Sequence, residues 1–168
     1  MKNALLLAIL VPALFFGAQV GPTRADDSGF QAFLRRWEEA QSRFLNGDPS
    51  LWKKNSSQRE DATIFGAFGG YEKGWKEVGP RYDWAASQYS PSGAKKGVEY
   101  LNVTVGSDLA CTVSIERDEV QVGGQSKPEP RALRVTQVFR KEDGAWKLLH
   151  RHADPLMEKK APSATRRK

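Results

Sequence analysis

Residues 133–155 read LRVTQVFRKEDGAWKLLHRHADP, and the alternation in this stretch decides the fold class. Leu133, Val135 and Phe139 fall on one side of an extended chain together with Gln137. After Glu142-Asp143-Gly144, Trp146, Leu148, His150 and His152 fall on one side, and Lys147, Leu149 and Arg151 on the other. Period-two alternation around an Asp-Gly pair predicts a β-hairpin with a tight turn. Trp146 and Leu148 predict that the histidine side is enclosed, with two titratable rings beside apolar surface. The hairpin is therefore expected to wall a small-molecule pocket.

Before it, two more strands are predicted at about 98–105 and 109–120, and the first arm of the hairpin spans about 133–141. Gly106-Ser107-Asp108 joins the first two, and the Gly- and Pro-containing stretch 123–130 joins the next pair. Leu109, Cys111, Val113 and Ile115 share a side, which is taken as the buried one and places the lone thiol inside. The amino-terminal part is helical. Ser28 and Gln31 match a capping box, and Phe30, Phe33, Leu34, Trp37, Phe44 and Leu45 recur at helical spacing. Asn46-Gly47 ends that helix. Asp48 then caps a short one with Pro49 in its first position. Residues 72–89 predict two helical pieces broken at Gly79-Pro80, with Tyr82, Ala85, Ala86 and Tyr89 turned inward. The class is α+β, with a curved antiparallel sheet folded over helices.

The chain of 168 residues carries a formal charge of +6, but its ends account for the excess. Residues 26–157 hold 19 basic and 19 acidic side chains, so the folded part is neutral. Nucleic-acid binding has no aromatic-interleaved basic patch to support it. Lys2, the apolar run 4–16 and Thr23-Arg24-Ala25 have the form of a cleaved export signal over residues 1–25, with no stable membrane anchor. The domain then spans 26–157 and a disordered basic tail 158–168. With Cys111 as the single cysteine, no intrachain disulfide forms. The glycines at 66, 69 and 70 lack the spacing of a phosphate loop, and no cofactor is expected.

The chain resembles the nuclear transport factor 2-like superfamily, in its SnoaL-like and ketosteroid-isomerase-like branch. The resemblance rests on the aromatic first helix ending in Asn46-Gly47-Asp48, on Asp61-Ala62-Thr63 ahead of Gly69-Gly70, on Leu133-Arg134-Val135-Thr136, and most specifically on Trp146 to His152. It implies a cone-shaped α+β barrel whose sheet wraps the long amino-terminal helix and leaves a cavity at the open end. It also implies homodimers through the outer face of the sheet. The branch's aspartate base and its tyrosine and acid donors have no motif match here.

Three functions follow as expectations. One is a domain that binds a small, partly apolar ligand without turnover. Another is a proton-transfer enzyme of isomerase or dehydratase type. It would use His152 as base, oriented by Asp154, with His150 or Tyr82 as donor, because imidazole titrates near neutrality. The last is a dimeric scaffold with a vestigial pocket. Candidate ligand contacts are Trp37, Asp61, Trp75, Tyr82, Tyr89, Arg134 and Gln137. Arg134 would act as a clamp on a carboxylate or, alternatively, pair with Glu116 across the sheet. The H-x-H spacing also fits two metal ligands, with Glu116 or Asp61 as the third donor, but the reading without metal is preferred.

Overall fold

A computed structural model describes residues 27–91 and 93–159. The expected export signal at 1–25 lies outside these residues, as do positions 160–168 of the expected tail. Helix α1 (Asp27–Phe44) is followed by α2 (Ser50–Lys54), β1 (Thr63–Phe65), β2 (Glu72–Lys73) and α3 (Trp75–Ser87). The chain ends in a meander of β3 (Lys95–Val105), β4 (Leu109–Val120), β5 (Glu129–Glu142) and β6 (Ala145–Pro155).

The expected spacing governs α1. Phe30, Phe33, Leu34, Trp37, Ala40, Phe44 and Leu45 are buried, while Arg35, Arg36, Glu39 and Arg43 face water. The Phe30, Phe33 and Trp37 rings meet Phe139 of β5 at 5.4, 5.4 and 5.8 Å, and Phe30 meets Trp146 of β6 at 5.1 Å. At such a junction, truncating Phe139 to alanine costs about 3–5 kcal/mol. Asp48 accepts from the Ser50 amide at 2.9 Å and starts α2 one residue later than expected. Helix α3 is continuous through Pro80, not split there. Proline forfeits one helical hydrogen bond, but burial of Val78, Tyr82 and Ala86 along one side outweighs it.

The six strands lie in the order β2-β1-β6-β5-β4-β3, with β1 parallel to β6 and every other pair antiparallel. This corrects the expected cone-shaped barrel. Closure requires the two outermost strands to be hydrogen-bonded to each other. Here they are the two-residue β2 and the long β3, which have no ladder between them, so the sheet is open and carries α1 on one face. The β5–β6 turn is the predicted tight one: Asp143 and Gly144 are both left-handed, at φ 50° and 81°.

Two faces are reversed relative to the alternation. Phe139 pairs with Leu148, but Gln137, two residues earlier, pairs with Arg151, three residues later. One extra residue therefore sits in β6, and such a bulge inverts the facing of everything beyond it. Trp146 and Leu148 point to the core as expected, and after the bulge Arg151 and Ala153 do so, not His150 and His152. In β4 the buried side is Ala110, Thr112, Ser114, Glu116, Asp118 and Val120. Leu109, Cys111, Val113 and Ile115 lie on the outer side, so the thiol is half-buried there, contrary to the expected interior position. A buried side this polar is stable because arginines from β5 and β6 meet it.

Candidate functional site

The outer face takes the histidines. His150 shares a hydrogen bond with Thr63 Oγ1 through Nδ1 at 2.8 Å, and the Phe65 ring lies 5.3 Å from both imidazoles. Partial burial, and next the neighbouring His152, hold the His150 pKa below its ordinary value. His152 Nε2 is 2.9 Å from Asp154 Oδ2. Arg134 points the same way, 3.8 Å from Asp154 and not paired with Glu116. His152, Asp154 and Arg134 border an open groove with Leu101, Val113 and Ile115. Asp61 is also at the surface, gripped by Arg140 at 2.6 and 3.0 Å, and that grip lowers its pKa. Neither Glu116 nor Asp61 joins the histidines. Among the described residues no three His, Cys, Asp or Glu side chains come together as a metal site.

The inner face has a different composition. Glu116 of β4 receives both Nη atoms of Arg151 at 2.8 and 2.7 Å, with side chains only 2% and 9% exposed. Gln137, in the amide orientation that satisfies its neighbours, accepts from Arg151 Nη1 at 3.0 Å and from Trp37 Nε1 at 3.1 Å. Arg131 of β5 donates to Asp118 at 2.6 Å and to the Tyr89 hydroxyl at 2.6 Å. The Glu116–Arg151 pair is tolerated in the interior because both carboxylate oxygens accept from the guanidinium.

Between this polar floor and the helices lies a cavity. Its atom-free space, open solvent at the mouth included, is about 570 Å³. Phe44, Trp52, Tyr82, Tyr89 and Phe68 form aromatic walls, and Arg131, Arg151 and Glu116 reach the polar side. Burial pushes the Tyr82 hydroxyl pKa upward, so it stays protonated. At the mouth, Arg81 of α3 donates to the Gly69 carbonyl at 2.9 Å, pairs with Glu72 at 3.2 Å and lies over the Trp84 ring at 4.1 Å. That contact fastens the turn 66–70, in which Gly69 and Gly70 are left-handed and Phe68 faces the opening.

The family model described as a SnoaL-like domain matches residues 60–158, more than half the chain. The chain belongs to the SnoaL-like domain family. No curated protein matches it by sequence. Among solved structures, it is similar to a nuclear transport factor 2-like superfamily protein from Salmonella enterica, at TM-score 0.66 and 15% identity over 82% of this chain and 98% of that one. A ketosteroid isomerase-like protein from Erwinia carotovora gives 0.63 and 15%, over 78% and 96%. The association domain of CaMKII from C. elegans gives 0.56 and 16%, over 75% and 95%. At these identities the likeness is one of fold alone.

Of the side chains singled out by sequence, Tyr82 and Tyr89 line the cavity of this SnoaL-like domain. Trp37 and Gln137 are buried just behind it. Trp75 packs beside Gly79 and Lys53 and stays outside the lining. His150, His152 and Asp154 are elsewhere because of the β6 bulge, Arg134 because it alternates with the buried Leu133 and Val135, and Asp61 because it lies at the surface before β1, paired with Arg140. Glu116 enters the sequence reading only as a metal donor or a partner of Arg134, and Arg131 and Arg151 do not enter it as site residues. Their one signal was the alternation Thr112-Ser114-Glu116-Asp118, which reads as a solvent face unless cationic partners are sought on β5 and β6.

Proposed function

We propose that the chain is a ligand-binding protein whose inner cavity holds a small, partly apolar organic molecule without transforming it. The observation that carries this reading is the state of the cavity's ionic groups. Glu116, the one carboxylate in its lining among the described residues, is tied at both oxygens to Arg151, and no imidazole reaches the lining. A general base must be free to take a proton. The His152–Asp154 pair opens onto the outer groove, so proton-transfer chemistry has weaker support. Mostly apolar walls with a few placed polar groups suit binding.

The test is thermal unfolding of the full chain against single-ring aromatic compounds, with mass spectrometry of any small molecule carried through purification. A ligand specific to the folded state raises Tm with concentration. Filling the cavity by Ala85→Leu is expected to remove that rise. Absence of any stabilising compound, together with an empty extract, rejects the reading.

The outer face favours a second reading, a scaffold that pairs through its sheet. Leu101 is 58% exposed and lies with Val113 and Ile115 along the outer groove. Contiguous apolar surface of this kind marks association sites. The C. elegans relative described as an association domain agrees with it. Sedimentation that shows a monomer at all concentrations, unaltered by Val113→Lys, rejects it. We further propose export, on Lys2, the apolar run and Thr23-Arg24-Ala25. Amino-terminal sequencing of the native protein is expected to begin at Asp26, and an intact Met1 rejects export with cleavage.

A further inference from the structure

The ladder pairings line up two rows of side chains across the outer face. One runs Cys111, Val138, His150 and Thr63 from β4 to β1, and the next runs Val113, Thr136, His152 and Phe65. The second row leads into the groove with Leu101 and Ile115, whose own charges, Arg134 and Asp154, are one of each sign. A surface that pairs with its own copy about a two-fold axis must match itself. This one does so while the imidazoles are neutral: apolar residues meet apolar residues, and Arg134 of one copy finds an acid, Asp154, on the other.

Protonation of His150 ends that match. Its partner is the Thr63 hydroxyl, 2.8 Å away, and among the described residues no carboxylate pairs with it. The acids on the strands beside it are engaged elsewhere. Asp61, ahead of β1, is gripped by Arg140 of β5, and Asp154 lies 2.9 Å from His152. The other titratable groups around it are His152 and Lys147 on β6, Lys73 opposite Thr63 on β2, Arg134 on β5, Cys111 on β4, and Tyr71, whose ring meets Phe65 at 6.2 Å. None is a carboxylate. A cationic His150 in a self-matched contact brings a second cation with it, and both lose water with no acid in return.

We infer that the outer face joins two copies of the chain while its imidazoles are neutral, and that protonation of His150 separates them. His152 contributes less, because Asp154 offsets its charge. The partial burial that already disfavours protonation of His150 in one copy acts in the same sense as further burial by the other. The pair therefore holds fewer protons than two separate copies. Association weakens as pH falls through the imidazole range, about 6.5 for an ordinary histidine. The inference rests on the sheet-pairing reading above, and the experiment separates the two.

Sedimentation equilibrium of the full chain is run at pH 7 and pH 5.5 at one ionic strength, with tryptophan fluorescence to confirm the fold. The dimer Kd is expected to rise about tenfold on acidification, because each separated copy takes up a proton. His150→Gln is expected to keep the pH 7 affinity and flatten the dependence. Val113→Lys is expected to abolish the dimer at both pH values. Dilution calorimetry of the unaltered chain at pH 6, in two buffers of different ionisation enthalpy, reads proton uptake on separation without relying on a variant to fold. Equal Kd at both pH values, tighter association at pH 5.5, no proton uptake, or a pH dependence that survives His150→Gln overturns the gate and leaves sheet pairing standing. A monomer at every concentration at pH 7, or a dimer indifferent to Val113→Lys, removes the pairing reading and the gate with it.

Discussion

Arg151 and Arg134 offer a comparison within one sheet. Each lies in the last hairpin and each faces a carboxylate on an adjoining or nearby strand. Arg151 and Glu116 are 9% and 2% exposed and joined by two hydrogen bonds; Arg134 and Asp154 are 61% and 49% exposed and 3.8 Å apart. The chemistry is the same and the solvent differs. Outside, water screens both partners whether or not they touch, so the pair contributes little. Inside, the charges have exchanged their hydration for each other, so losing one partner strands the other.

The largest expected effect comes from breaking the inner pair. Glu116→Gln leaves a buried guanidinium without its counter-charge and is expected to cost about 3–5 kcal/mol in urea unfolding. The double variant Glu116→Leu with Arg151→Met removes both charges. It is expected to lose far less than the two single variants summed, so a double-mutant cycle reads the coupling directly. Additive losses would mean that the pair is not a unit and would dissolve the contrast with Arg134.

A smaller effect belongs to the mouth of the cavity. Arg81→Ala removes the contact to the Gly69 carbonyl, the pairing with Glu72 and the stacking on Trp84. The turn 66–70 is fastened mainly there, so exchange at the Gly69 amide, which donates to the Gly66 carbonyl at 2.8 Å, is expected to speed up. Amides in the centre of β5 are expected to keep their protection. Uniform acceleration would place Arg81 in the global fold and not in the local turn.

How much of this arrangement was legible in sequence depends on what each signal measures. The hairpin and its Asp143-Gly144 turn were readable because backbone conformation and local alternation are properties of neighbouring residues. The facing of His150 and His152 was not. A single extra residue at the Leu148–His150 step is invisible to a period-two reading, and the partner that fixes it, Gln137, is known only after strand pairing. In β4 the rule that apolar residues point inward failed for a related reason. Thr112, Ser114, Glu116 and Asp118 are inside because Arg131 and Arg151, from other strands, neutralise or bond two of them. Tyr82 was found because an amphipathic helix states its own buried side, and Tyr89, just past the end of α3, because it continues that spacing. Barrel closure came from family resemblance, and the two-residue β2 at the sheet edge removed it.

The outer face also responds to pH. His150 has a folded-state pKa below its usual value, chiefly from burial and then from His152. Folding therefore disfavours its protonation. The unfolded chain binds more protons below the ordinary histidine value of about 6.5, so stability rises with pH in that window. The urea midpoint is expected to fall as the solution is taken from pH 7 towards 5, and His150→Gln is expected to flatten the slope. A slope unchanged in that variant would assign it to other groups.

The smallest effect sharpens the comparison most. Arg134→Ala removes the outer counterpart of Arg151 and is expected to change stability by less than about 0.5 kcal/mol, as for an exposed, single-contact pair. Asp154 keeps His152 as a neighbour at 2.9 Å, so it is not left alone. Raising the salt concentration is expected to erase even that difference, since exposed charges are screened. If Arg134→Ala costs as much as Glu116→Gln, the outer groove is not open to water in solution. The simplest cause would then be a second copy of the chain lying over Leu101, Val113 and Arg134, and dilution would test it by making the cost disappear as the pair separates.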